Sequence, residues 1–219
     1  MKKAVVLLSG GLDSSTVLYW AIDKGYDCSC LLFDYGQRHK KELKGAAKIA
    51  SLAGCTYKIV KISLPWATGS LTDKAQKIPH NNKLLTSVHG QSSLPSTYVP
   101  GRNTIFISYA VSYAESIGAK TIFIGANAVD YSGYPDCRPR YYGAFDRLLQ
   151  TLPGKIEIKT PLLKLSKDGI VKLACKLKVP LKHTWSCYGG GNVPCGVCDS
   201  CLFRAKGFNL AKIEDPASL

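Results

Sequence analysis

The sequence predicts an α/β fold, a parallel sheet with helices on both faces. Three observations support this: apolar runs of strand length, amphipathic stretches of helix length between them, and glycines at the junctions. Ala4-Val5-Val6-Leu7-Leu8 is unbroken by polar residues, as in a strand buried on both faces. It stops at Ser9-Gly10-Gly11, and Ser14 to Lys24 follows as a helix. Cys28 to Phe33 is the second strand, ending at Asp34-Tyr35-Gly36. Lys40 to Ala53 carries Leu43, Ala46, Ala47, Ile49 and Ala50 at helical spacing, with Gly54 as its stop. Tyr57 to Ile62 is a third strand, Ile105 to Ser116 a helix closed by Gly118, and Thr121 to Ile124 a fourth strand. Glu157 to Leu163 is a fifth, and Ser166 caps a helix running to Lys178, before Pro180. In such a βαβαβ order ligands bind at the carboxyl ends of the strands. Between 63 and 100 the pattern dissolves into Pro, Ser, Thr, Asn and Gln, a stretch too long for an ordinary connection, which predicts a lid or a partly disordered segment.

At 219 residues and 46% hydrophobic content, the chain fits one domain with a sizeable core and an appended subdomain. Lys2 and Lys3 precede an apolar run too short for a secretion signal or a membrane span, so a soluble cytoplasmic protein with no membrane contact is expected. The net charge of +14, from 29 basic and 15 acidic residues, concentrates anions near the surface. The basic residues are scattered, from Arg38, Lys40 and Lys41 to Lys172, Lys176 and Lys178, which suits a solvated basic surface or RNA contact alike. Nine cysteines, an odd count without a secretory segment, argue against a disulfide framework.

Ser9-Gly10-Gly11-Leu12-Asp13-Ser14-Ser15, between a buried strand and a helix, gathers backbone N–H groups and a helix N-terminus around one point, which is an anion site. The glycines allow tight backbone geometry, and Ser9, Ser14 and Ser15 offer hydroxyls to phosphate oxygens. Asp13 would repel bare phosphate, so it braces the loop or binds Mg²⁺ beside it. The loop matches neither the Walker A pattern nor the dinucleotide fingerprint. It resembles the PP-loop of the ATP pyrophosphatases, which cleave ATP between the α and β phosphates. Near the C-terminus, Cys187, Cys195, Cys198 and Cys201 form C-x7-C-x2-C-x2-C. Four thiolates at that spacing suit a closed, structural tetrahedral Zn²⁺ site, and the short C-x2-C-x2-C run is also compatible with iron–sulfur ligation.

With both motifs in place, nearly the whole chain resembles the 7-cyano-7-deazaguanine synthases of the queuosine pathway, the QueC family. The resemblance extends to Phe33-Asp34-Tyr35-Gly36-Gln37-Arg38-His39, Tyr98-Val99-Pro100-Gly101-Arg102-Asn103, the stretch from Asp130 to Arg138, Thr160-Pro161-Leu162 leading to Leu165-Ser166-Lys167, and Thr184-Trp185-Ser186-Cys187-Tyr188. It implies a Rossmann-like fold of the adenine nucleotide alpha hydrolase type. Residues 1–180 would form the PP-loop domain, and 181–219 a zinc-binding subdomain packed on it. It further implies a homodimer, with ATP, Mg²⁺ and Zn²⁺ as cofactors and no nucleic-acid partner. The implied reaction turns 7-carboxy-7-deazaguanine and ammonia into the nitrile, with the acid and then the amide activated as adenylates.

Adenylation brings a nucleophile up to a polyanion, so donors and cations must neutralise the phosphorus centre and the departing pyrophosphate. The resemblance assigns ATP to Leu8, Ser9, Gly10, Gly11, Leu12, Asp13, Ser14 and Ser15, with Phe33, Tyr35, Arg102, Asn103 and Gly125. Asp13, Lys167 and Arg102 are the catalytic candidates, Arg102 offering a planar fork for carboxylate or phosphate. The N–H groups on the pyrimidine edge of a guanine-like base call for a carboxylate, which Asp130 or Asp136 would supply, while Tyr98, Tyr131 and Tyr134 would stack on the ring. Cys137 has no paired base nearby in sequence and is read as non-catalytic. His39 belongs to the loop after the second strand. Three other readings stay open: a relative that adenylates another acceptor, a tRNA-modifying PP-loop enzyme, for whose RNA-binding domain the chain has little room, and a non-catalytic nucleotide-binding module in which zinc and loop only shape a binding surface.

Overall fold

The computed structural model describes residues 1–73, 75–80, 94–127 and 134–217. Five strands, β1 (Lys2–Leu7), β2 (Tyr26–Asp34), β3 (Thr56–Lys61), β4 (Thr121–Ile124) and β5 (Glu157–Lys159), form one sheet in the order β3-β2-β1-β4-β5. Every pairing is parallel. Among the described residues six α-helices connect or flank them: α1 (Leu12–Asp23), α2 (Lys41–Leu52), α3 (Arg102–Ile117), α4 (Pro139–Leu149), α5 (Lys167–Lys176) and α6 (Asp199–Ala211). The expected α/β fold is therefore present, with strand order reversing between β1 and β4, where doubly wound sheets bind ligands.

The central strands explain the continuous apolar runs. Ala4, Val6 and Leu8 point to one face with Cys30, Leu32 and Phe123, under α1, α2, α5 and Phe208 of α6. Val5, Leu31, Phe33 and Ile122 point to the other, under α3 and α4. Both parities are buried, so neither can be polar, and each large aliphatic side chain so covered contributes about 1.5–3 kcal/mol. β3 lies at the edge, where Tyr57 and Ile59 are exposed.

Several boundaries differ from the sequence expectation. β5 stops at Lys159 rather than Leu163, because Pro161 cannot donate to the ladder. Ser166 occupies the N-cap position of α5 but does not cap it. Its hydroxyl donates to Asp168 Oδ1 at 2.6 Å. Helices α4 and α6 were not foreseen. The described part of the 63–100 segment is built into the protein: Leu64, Ala67 and Val99 form a small apolar cluster. Arg38 Nη1 donates to the carbonyls of Ser70 and Gln76. Among the described residues, no helix is long and apolar enough to cross a membrane.

Candidate active site

A cavity of about 420 Å³ opens at the carboxyl ends of β1 and β4, a volume within the range of small-molecule sites. The loop after β1 forms its floor. Gly10 has φ +85°, and a Cβ there would lie 2.3 Å from the Glu42 carbonyl oxygen and 2.7 Å from the Ala46 nitrogen, so only glycine fits between this loop and α2. Its carbonyl accepts the Trp185 N–H at 2.9 Å, which ties the loop to the cysteine region. Gly11 sits at the N-cap of α1 without a side-chain cap, leaving first-turn N–H groups for a ligand. The Ser9 and Ser14 hydroxyls lie 3.0 Å apart, whereas the Ser15 hydroxyl is buried and donates to the Gly11 carbonyl at 2.7 Å. Gly125, at the end of β4, lets the backbone of Ser14 approach closely.

Lys167 opens α5 and reaches across to the loop. Its Nζ lies 3.0 and 2.9 Å from the two carboxylate oxygens of Asp13. The loop before it is fixed by Asn127, whose amide donates to the Leu162 and Leu165 carbonyls. Behind it, α6 presses a glycine against the side chain: a Cβ on Gly207 would lie 2.4 Å from Lys167 Cγ.

The opposite wall is aromatic and cationic. Gln37 locks the turn after β2, accepting from the Tyr35 N–H at 2.9 Å and donating to the Phe33 carbonyl at 3.1 Å. The Arg102 guanidinium, in the first turn of α3, stands over the rings of Tyr35 at 5.6 Å and Phe106 at 5.9 Å, and donates to the Tyr35 hydroxyl at 3.4 Å. Phe106 in turn stacks on Phe33 with centroids 4.0 Å apart. Tyr134 lines the cavity and hydrogen-bonds the Thr97 hydroxyl. Asp136 is buried beneath; burial pushes its carboxyl up, with Arg102 opposing. Burial also pushes the Cys137 thiol up to about 11, which leaves it a poor nucleophile at neutral pH.

Leu8, Ser9, Gly11, Leu12, Asp13, Ser14, Phe33, Tyr35, Arg102, Asn103, Gly125, Tyr134 and Lys167 thus share one cavity. Gly10 and Ser15 support it from behind. Tyr98 and Asp136 are set back from its lining, the Tyr98 ring 6.5 Å from that of Tyr134. Asp130 and Tyr131 lie outside the described residues. The sequence reading gave no site role to Glu42, Trp185 or Tyr188, all of which line the cavity. Trp185 and Tyr188 stood in a quoted motif; Glu42 follows the Gln37-Arg38-His39 motif by three residues, a signal that alone carries little.

The sulfur atoms of Cys187, Cys195, Cys198 and Cys201 all lie within 4.8 Å of one another, with Cys195 and Cys201 Sγ 4.0 Å apart. Four thiolates around one tetrahedral ion at Zn–S distances stand about 3.8 Å apart, so the cluster fits a single ion, and the 4.0 Å pair is no disulfide. Burial raises the Cys187 thiol, and the backbone N–H groups of Gly189 and Cys195, which donate to its Sγ at 3.2 and 3.3 Å, oppose that rise. His39 Nε2 lies 2.9 Å from the Cys187 carbonyl oxygen, and Ile78 and Trp185 pack on the cluster. Ser200, Phe203 and Arg204 of α6 reach the cavity. The buried Arg204 is fastened to Asp215 at 2.6 and 2.8 Å.

Comparison with known proteins agrees with this geometry. The family model described as queuosine biosynthesis protein QueC matches residues 3–212. The chain is 51% identical to the 7-cyano-7-deazaguanine synthase of Thermoplasma acidophilum, over 98% of this chain and 91% of that one. It is 53% identical to that of Picrophilus torridus, over 95% and 87%. It is 48% identical to that of a Cyanothece strain, over 98% of each. Among solved structures, NMN synthetase from Francisella tularensis superposes with a TM-score of 0.53 at 16% identity, covering 97% of this chain and 78% of that one, a likeness of fold alone.

Proposed function

The chain belongs to the QueC family of queuosine biosynthesis proteins, and from that premise we propose that it is an ATP-dependent ligase converting 7-carboxy-7-deazaguanine and ammonia to 7-cyano-7-deazaguanine. The observation that carries this reading is the convergence of the glycine loop, the Asp13–Lys167 pair and Arg102 on one cavity at the strand-order reversal.

In this reading the loop from Ser9 to Ser14 and the N-terminus of α1 hold the β and γ phosphates of ATP, and Lys167 faces the α-phosphorus. The substrate carboxylate attacks that phosphorus and pyrophosphate leaves; ammonia then displaces AMP to give the amide. The amide oxygen attacks a second ATP, and loss of the second AMP leaves the nitrile. Arg102 steadies the negative charge that develops, its fork held by the Tyr35 and Phe106 rings. Tyr134, with Tyr98 and Tyr131, provides stacking surface for the deazapurine, and Asp130 or Asp136 its hydrogen-bond acceptor. Asp13 is the carboxylate placed to hold Mg²⁺, which when bound would offset phosphate charge. Residues 181–219 serve as a Zn²⁺-stapled subdomain on the 1–180 domain. The working form is a cytoplasmic homodimer without nucleic acid.

The test is direct. Protein incubated with ATP, Mg²⁺, an ammonium salt and 7-carboxy-7-deazaguanine yields AMP, pyrophosphate and the nitrile, identified by mass spectrometry. ADP and phosphate in their place, or pyrophosphate release that requires RNA, would overturn the proposal.

A further inference from the structure

The cavity is lined by two carboxylates among the described residues, Asp13 and Glu42. Asp13 is paired with Lys167. Glu42 has neither a hydrogen bond nor an ion pair among the described residues, although it projects from the first turn of α2 into a wall that also holds Arg102, Tyr35 and Tyr188. A carboxylate left without a partner in a partly buried wall carries a cost, and the position is otherwise tightly fitted: the Glu42 backbone is the surface against which Gly10 closes. A group kept at that cost in a substrate cavity is a candidate for work on the substrate.

The chemistry narrows that work. A carboxylate repels phosphate, so Glu42 does not serve ATP directly. The proposed reaction also needs a place for a nitrogen that arrives as a cation, since ammonium, like an alkylammonium, titrates well above neutrality. That nitrogen must lose protons before and after it attacks. The other titratable groups around the cavity are unsuited to take them. Burial raises the Cys137 thiol and the hydroxyls of Tyr35, Tyr134, Tyr142 and Tyr188 away from neutrality. Lys167 is engaged by Asp13; His39 faces the Cys187 carbonyl through Nε2 and its Nδ1 is buried, away from the solvent to which protons must return; and Asp136 is set back from the cavity lining.

We propose that Glu42 is a further catalytic residue: its carboxylate receives the nitrogen substrate as ammonium and removes the protons that the nitrogen sheds while it displaces AMP from the acyl adenylate. The inference rests on the functional reading above. Ammonium passes one proton to Glu42, which returns it to solvent. The lone pair so released forms the C–N bond at the carboxyl carbon, the C–O bond to the AMP phosphate breaks with its electron pair on AMP, and the surplus proton on nitrogen follows the same route. Burial places Glu42 at about 7, matched to proton transfer near neutral pH, with Arg102 opposing that rise.

The experiment separates the two half-reactions. Acid-dependent exchange of labelled pyrophosphate into ATP, without ammonium, reports adenylation; amide and nitrile formation report the nitrogen step. Glu42→Gln is expected to keep the exchange, to lose product formation by about 100-fold or more at pH 7, and to regain much of it toward pH 9, where free ammonia is plentiful. Glu42→Asp, which keeps the charge, recovers part of the rate at pH 7 and guards against a folding defect in the glutamine variant. Exchange and product formation falling together, or neither falling, overturns the assignment. A wild type without acid-dependent exchange overturns the functional reading, and this one with it.

Discussion

Lys167 Nζ stands at 3.0 and 2.9 Å from the two carboxylate oxygens of Asp13, across 154 residues of sequence. The pair joins the phosphate loop to the start of α5, with both side chains partly open to the cavity. The side chains are 16% and 24% exposed, so the pair contributes on the order of 1–2 kcal/mol to stability, small beside the catalytic loss its removal should bring. Asp13→Ala is therefore expected to leave the melting temperature within a few degrees of wild type while acid-dependent pyrophosphate release falls by about 100-fold or more. Calorimetry and a pyrophosphate assay check the two halves, and a fully active variant would remove Asp13 from the site.

Gly10 admits no side chain. Its φ of +85° disfavours other residues, and the added carbon would overlap the backbone of α2 at 2.3 Å. Gly10→Ala should cost about 2–4 kcal/mol, seen as a lower midpoint in urea unfolding, with ATP binding impaired even where the variant folds. An unshifted midpoint would mean that α2 yields readily.

Glu42 makes stability depend on pH in a defined direction. Its carboxyl rises from 4.5 to about 7 on folding, mainly by burial, so between those values the folded chain binds more protons than the unfolded one. Stability contributed by the protonated form is complete below 4.5, is lost as pH rises, and is gone above about 7. Glu42→Gln should thus stabilise the ligand-free protein by on the order of 2 kcal/mol at pH 8 and leave it nearly unchanged at pH 4. Denaturant titrations of both proteins at the two pH values measure the difference; an equal effect at both would show that Glu42 titrates normally.

Removing one thiolate should dismantle the metal site. Cys198→Ser is expected to release the bound ion and to expose the chain between 185 and 201 to protease, while 1–180 stays resistant. Elemental analysis and limited proteolysis read the outcome; undiminished metal content would refute the ligand assignment.

The order of strands and the loop between β1 and α1 were legible because both depend on local rules: period, glycine placement and strand length. Helix α4 escaped because it follows a stretch rich in Gly, Pro and Asp, which reads as a turn, although Tyr142 and Leu149 then bury on the sheet. Helix α6 was concealed by its own cysteines, which drew the segment into a metal motif while Phe208 was joining the core. Long-range pairings had no local signature: nothing near Asp13 announces Lys167, and nothing near His39 announces Cys187. Glu42 was passed over for another reason. An acidic residue in the first turn of a helix is ordinarily explained by the helix dipole, and only the surrounding walls show that this one faces a cavity.

The contact between Gly207 and Lys167 turns α6 into a lever. Cys201 sits in the opening turn of that helix and Gly207 six positions later, so any tilt of the helix at the thiolates arrives at the lysine stem within about 9 Å, with no slack to absorb it. A chain stripped of its ion would then lose adenylation by misplacing one ammonium group, and its defect would resemble that of a Lys167 variant more than that of an unfolded protein.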